Sequence, residues 1–219
     1  MSRDGGDHPD IIGDAHALAA DLGGAVRAKI EMTRPGGRIE PSVMELRPAT
    51  AQDTTAIALL HADSWRRNYR GAYSDAFLDG DVEADRRSVW SGRLADPSVD
   101  QRTIVAEIDD RVVGFVHLIC NDDPEWGALV DNLHVVHERR GQGIGTVLMA
   151  AAAQALLDAH PESPHIYLWV LEQNTAAQSF YAARGGKRVG RGIVNPPGGG
   201  PTSTKFRYAW PDATVLIAP

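Results

Sequence analysis

Residues Glu138–Leu157 read ERRGQGIGTVLMAAAAQALL. Two arginines lead into glycines at the alternate positions 141, 143 and 145, and an alanine-rich apolar run follows. Side-chain-free residues let backbone N–H groups approach a ligand closely. The first turn of a helix leaves its amides unpaired, and the helix dipole adds positive potential at that end. Together these features predict an anion site, with Arg139 and Arg140 adding charge beside it. The competing reading is a plain glycine-rich turn that starts a helix and nothing more. Spacing separates the known phosphate-cradling turns. A P-loop ends in Gly-Lys-Ser/Thr, whereas here Gly145 is followed by Thr146. The dinucleotide fingerprint needs glycine where Thr146 stands, and the charged run His137–Arg140 spoils a tight strand-to-helix turn. The form that fits is Arg/Gln-x-x-Gly-x-Gly/Ala, matched in full by Arg140, Gly141, Gln142, Gly143, Ile144 and Gly145.

Working outward, Ile144 to Asp158 reads as the helix that this turn opens, and GALVDNLHVV (127–136) as the strand before it. IYLWVL (166–171) is a strand after the helix, and Thr175 to Arg184 is another helix. RTIVAEI (102–108) and RVVGFVHLIC (111–120), joined at Asp109-Asp110, predict a hairpin. Gly114 within it could mark a bulge. Upstream, MELRPA from Met44 is a strand that stops at Pro48. Asp53 is expected to cap a helix running to about Trp65, and residues 82 to 94 form another. KRVGRGIV and TKFRYAW, around the loop NPPGGGPTS, predict a final hairpin, and the glycines of 192–203 suit a mobile lid. The order β α α β β β α β α β β implies a mixed sheet with helices on both sides. Residues 1–43 differ: they are turn-rich, with an expected short amphipathic helix from Gly13 carrying Ala15, Leu18, Ala19 and Leu22. We expect 1–43 to be a flexible extension, either a plain tail or an arm over the site, and 44–213 to be the folded domain.

The glycine motif resembles the cofactor motif of the GCN5-related N-acetyltransferase superfamily. LRPAT (46–50), HADSWRRNYRG (61–71), VAEIDDRVVGFV (105–116), DNLHV (131–135) and LWVLEQNTAAQSFYAARGG (168–186) are similar to one bacterial branch of it. The resemblance covers about residues 44 to 210. It implies an α/β (α+β) fold: a mixed, mostly antiparallel sheet, helices on both faces, and a splayed central strand pair. It also implies acetyl-CoA as co-substrate and no metal. The family often has proline three positions before the motif's first residue; His137 stands there, which puts the loop's path in doubt.

What the resemblance implies can be placed residue by residue. Strands 129–136 and 166–171 would splay and hold the pantetheine arm. Leu133, His134, Val135 and the turn from Arg140 to Thr146 would bind the cofactor mostly through backbone. Acetyl transfer to an amine needs a deprotonated nucleophile, a donor for the oxyanion and an acid for the leaving thiolate. Tyr181, in Asn174-x-x-Ala177-x-x-Phe180-Tyr181, matches the family's acid, and its other reading is an aromatic packed on the sheet. Asn174 is a helix cap or a pantetheine contact, with Thr175 and Gln178 as an alternative capping box. For the base, Asp131 comes first, because strand alternation puts it on one face with Leu133 and Val135. Partial burial there would strengthen it as a base. Glu172 comes second, and a chain of waters is a third route. Trp65, Tyr69 and Tyr73 could line an aromatic acceptor pocket or simply pack helix on sheet.

Composition bounds the alternatives. Of 219 residues, 43% are apolar and 23% charged, and the formal net charge of -7 argues against a dedicated nucleic-acid binder. Cys120 is the only cysteine, so no intrachain disulfide can form and a cysteine zinc cluster is excluded. His134-x-x-His137 is too sparse for a metal site. No apolar run is long enough for a membrane span, and the opening MSRDGGDHPD lacks a signal peptide's apolar core. A cytoplasmic location is therefore expected. The expected partner is a small-molecule amine, with no nucleic acid and no membrane; similar proteins often form a homodimer. The leading function is acetyl transfer from acetyl-CoA to a primary amine in a ternary complex. Protein N-terminal or lysine acetylation and a non-catalytic acyl-CoA sensor are the alternatives.

Overall fold

The computed structural model describes residues 28–32 and 42–217. Eight strands form one sheet: β1 (Ala28–Met32), β2 (Ser42–Pro48), β3 (Gln101–Ile108), β4 (Arg111–Asp123), β5 (Gly127–Val135), β6 (Ile166–Leu171), β7 (Lys187–Val194) and β8 (Ser203–Trp210). Their spatial order is β1-β2-β3-β4-β5-β6-β8-β7. Neighbours pair antiparallel except β5 and β6, which run parallel. The helices are α1 (Thr54–Asn68), α2 (Asp75–Asp79), α3 (Val82–Ala95), α4 (Ile144–Ala159) and α5 (Thr175–Ala183). Strand β1 lies within the stretch expected to be an extension and pairs with β2 from Ala28↔Leu46 to Met32↔Ser42, so the sheet begins before Met44. The helix expected over Ala15–Leu22 lies outside the described residues.

Each element has a local cause. Asp109 and Asp110 take φ of 52° and 56°, the left-handed pair that lets a two-residue turn follow the strands' twist. α4 is apolar nearly all round and lies buried on one face of the sheet with Ile104, Ala106, Val116 and Leu118. Gly114 makes that approach close. A Cβ there would lie 3.0 Å from Leu148 Cδ1 and 3.1 Å from the His134 carbonyl, and the β3–β4 register slips beside it. α1 and α3 cover the opposite face through Ile57, Ala58, Leu60, Trp90 and Leu94 against Val105 and Phe115.

The expected role of Asp53 changes. It sits at the helix start, but its carboxylate does not cap α1. It accepts from both terminal nitrogens of Arg47, each at 2.8 Å, and from the Thr50 amide at 2.7 Å. Burial pushes this carboxyl up, but the Arg47 and Thr50 hydrogen bonds outweigh that and hold it below the usual carboxylate range.

Candidate active site

The turn after β5 presents the expected geometry. Gly141 and Gly143 take φ of 74° and 78°. Gly143 caps α4 with no side chain to satisfy the first turn. Among the described residues, the amides of Gly141 to Gly145 make no backbone hydrogen bond. Arg139 and Arg140 line the same cleft and have no carboxylate partner among the described residues. Gly145 serves packing: a Cβ would lie 3.2 Å from the Phe180 ring, so glycine lets α5 close against α4. Arg184 locks that contact, stacking 3.7 Å over Phe180 and donating from Nε to Thr146 Oγ1 at 3.0 Å. The Gln142 side chain turns back to the Glu138 carbonyl at 3.3 Å and stays out of the cleft lining.

β5 and β6 pair only at Ala128↔Ile166 and Leu129↔Tyr167. Beyond that point they diverge, and the gap opens into a cleft of about 1340 Å³. Single-ligand pockets run to about 1,000 Å³, so this one has room for two substrates. Leu133, His134 and Val135 line it, while Leu133 and Val135 also pack on the main core. His134 Nδ1 lies 2.9 Å from Ser64 Oγ. Burial, with Arg140 nearby, draws its pKa to about 3 against the pull of Asp131, so the ring is neutral at neutral pH. Tyr181 is buried among Phe180, Tyr208 and Trp210 and also reaches the cleft. Burial pushes its phenol up to about 12, which keeps the proton on and makes it a donor.

Several expectations are corrected. Asp131 does not share a face with Leu133 and Val135. The register steps from His117↔Asn132 to Leu118↔Val130, leaving Asp131 as the extra residue of a bulge. The bulge turns its carboxylate toward α3, where Arg93 donates at 2.8 Å, and the Asn132 amide donates at 2.6 Å. Its side chain is part-buried, at 30% exposure, and paired, and it lines the cleft. Glu172 lies outside the cleft lining, exposed past the end of β6, where its backbone is bound by Thr204 and Gln178. Asn174 accepts from the Ala177 amide at 3.2 Å and caps α5 while also lining the cleft, and Gln178 holds the Leu171 and Glu172 carbonyls. Trp65, Tyr69 and Tyr73 do meet, with centroids 4.9 to 5.5 Å apart. All three line the cleft, and Trp65 and Tyr73 are also buried with Phe77, Leu78 and Leu171. The glycine-rich loop is docked. Gly198 lies against the Phe77 ring, where a Cβ would come within 2.2 Å, and the Ser74 amide donates to the Gly199 carbonyl at 3.1 Å.

Sequence reasoning missed Ser64, Arg93, Trp169, Arg184 and Lys205, all in the cleft wall. Only Trp169 had a local signal, the alternation of 166–171. The others depend on which strands and helices become neighbours. Among the described residues, no cluster of three or more metal-ligating side chains occurs, and no helix is long and apolar enough to cross a membrane.

Comparison with known proteins places this geometry. Residues 62–186 match the model of the acetyltransferase (GNAT) family. The chain is 26% identical to YuaI of Bacillus subtilis, called an uncharacterized N-acetyltransferase, over 80% of this chain and 96% of that one. An uncharacterized N-acetyltransferase of Archaeoglobus fulgidus is 30% identical over 64% of this chain and 91% of its own length. Among solved structures, the PaiA N-acetyltransferase of Thermoplasma acidophilum in complex with coenzyme A shares the fold. It has a TM-score of 0.59 at 19% identity and covers 76% of this chain and 99% of that one. YncA of Salmonella typhimurium, solved with acetyl-CoA, has a TM-score of 0.56 at 15% identity, covering 76% and 92%.

Proposed function

Given that this chain belongs to the acetyltransferase (GNAT) family, we propose that it moves an acetyl group from acetyl-CoA to the primary amine of a small molecule, by direct attack in a ternary complex. One observation carries the reading. The unpaired amides of Gly141–Gly145 and the phenol of Tyr181 open into the same gap between β5 and β6.

In this reading the diphosphate of the co-substrate sits on the head of α4, with Arg139 and Arg140 beside it. The pantetheine arm lies along Leu133–Val135, where β5 has lost β6 as a partner and offers free backbone groups. The amine enters from the α1 side, past Trp65, Tyr69 and Tyr73. The loop around Gly198 docks on Phe77 and Ser74, beside the Trp65–Tyr73 cluster, and we read that side as suited to a compact acceptor rather than a protein segment. Asp131, on the α3 side of β5, draws in the ammonium form, and water in the open cleft carries off its proton. The nitrogen attacks the thioester carbonyl carbon, the C–S bond breaks, Tyr181 protonates the leaving thiolate, and the proton the nitrogen sheds as the amide forms restores the phenol.

The test is a thiol-release assay with the full chain, acetyl-CoA and a panel of small amines, with products identified by mass. Acetylated amine should appear with stoichiometric free CoA. Tight acetyl-CoA binding in calorimetry without any modified acceptor would favour the sensor reading, and modification of peptides alone would favour a protein substrate.

A further inference from the structure

The acceptor side of the cleft has a wall that acetyl transfer itself does not require. β6 and β8 pair as Leu171↔Lys205, Trp169↔Arg207 and Tyr167↔Ala209. Directly paired residues of an antiparallel ladder share a face. Tyr167, Trp169, Lys205 and Arg207 therefore stand on one side, with Leu171, which packs in the Trp65–Tyr73 cluster. The intervening Leu168, Val170, Phe206 and Tyr208 go to the main core on the other side. β7 sets Gly192 opposite Lys205 and Gly190 opposite Arg207, so no β7 side chain stands directly beside either cation. A Cβ at position 192 would lie 3.2 Å from the Trp169 ring and 3.4 Å from Lys205 Cε.

The charges on this wall are unbalanced. Lys205 Nζ lies 4.3 Å from the centre of the Trp169 ring. Arg207 is stacked between Trp126 and Trp169, with Cζ 4.6 Å from each ring. Neither cation has a carboxylate within ion-pair distance among the described residues. Arg207 Nε is buried and has no hydrogen-bond partner. The nearby acids are engaged elsewhere, Asp122 by the Tyr167 hydroxyl and Asp131 by Arg93. Burial, and then the charge of Arg207, draw the Lys205 ammonium below the usual lysine range, against the pull of Asp131. Two adjacent half-buried cations are unfavourable, and the aromatic faces offset only part of that. A ligand anion would neutralise them.

We propose that Lys205, backed by Arg207, is an anion subsite for the acceptor, so that the preferred substrate is an amine that also carries a carboxylate. Lys205 lines the cleft, so an acceptor's carboxylate can reach its ammonium there. Arg207 is held between two rings, so a single ammonium meets the ligand, which suits one carboxylate better than a doubly charged phosphate. This rests on the acetyl-transfer reading, and the test separates the two.

The full chain is assayed with α- and ω-amino acids beside their carboxamides, while acetyl-CoA affinity is followed by calorimetry. The acids should exceed the amides in kcat/KM by about tenfold or more, in line with one partly buried charge pair. Lys205→Met should abolish that preference through KM while acetyl-CoA affinity is kept, and Lys205→Arg should restore it. Lys29→Met, at the far edge of the sheet on β1, should change neither. Equal rates for acids and amides, a preference that survives Lys205→Met, or bound acetyl-CoA with no acid acetylated would each overturn the subsite and leave acetyl-CoA binding standing. A chain that binds no acetyl-CoA would overturn the transferase reading itself.

Discussion

Gly143 occupies the left-handed region at the head of α4, where an L side chain is strained. Gly143→Ala should cost about 1 to 2 kcal/mol of local strain. We expect acetyl-CoA affinity to fall by about tenfold, one factor of ten being about 1.4 kcal/mol, as read by calorimetry; an unchanged affinity would contradict the role given to this turn. Tyr181 bears on the chemistry instead. Tyr181→Phe should lower kcat about a hundredfold, the scale of a lost general acid, with little change in acetyl-CoA affinity. Because its phenol titrates near 12, Tyr181 should add no basic limb to the rate profile below about pH 11. At this scale the glycine turn and Tyr181 were legible, since each is a local pattern. The setting of Asp131 was not, because alternation cannot show a bulge that appears only when β5 is paired against β4.

At the scale of elements, one latch joins β2, β3 and the start of α1. Arg47 reaches Asp53 with two nitrogens and Glu107 Oε2 at 2.6 Å. The Asp53 side chain is only 8% exposed, so removing its partner leaves a nearly buried carboxylate uncompensated. Arg47→Met should therefore destabilise the fold by about 3 kcal/mol in denaturant melts. Arg66→Met, which breaks the more exposed pair with Glu83, should lose under about 1 kcal/mol. Similar losses for the two would show that burial does not set the difference. Element positions were largely readable from periodicity: α1, α3, α4, α5 and the Asp109–Asp110 hairpin stand within a few residues of expectation. α2 was missed because five residues give no period to detect. The docking of the glycine loop at Phe77 and Ser74 was not readable, because glycine spacing does not record which surface a loop meets.

Across the described residues, three histidines pack on the α1–α3 side of the sheet, His61 and His117 buried and His134 part-buried at the cleft. Burial draws His61 well below its ordinary range, His117 to about 4 and His134 to about 3. In the unfolded chain they titrate near 6.5. Below about pH 6.5 the unfolded chain therefore takes up protons that the folded chain refuses, and stability falls as pH drops toward 4. Each histidine contributes about 1.4 kcal/mol per pH unit in that window, and nothing further above it. Denaturation midpoints should be level from pH 8 to 7 and drop steeply from 6.5 to 4.5; a level profile down to pH 5 would contradict this. The sequence alone determined most of the element order, the sheet with helices on both faces and the glycine turn that opens α4. These follow from residues close together in the chain: caps, alternation and glycine spacing. Tertiary structure decided which charges share the cleft: Arg93 against Asp131, Arg184 against Thr146, and Lys205 beside Arg207 without a carboxylate. Those meetings depend on strand register and on the divergence of β5 from β6, which packing between distant residues sets and no local pattern records.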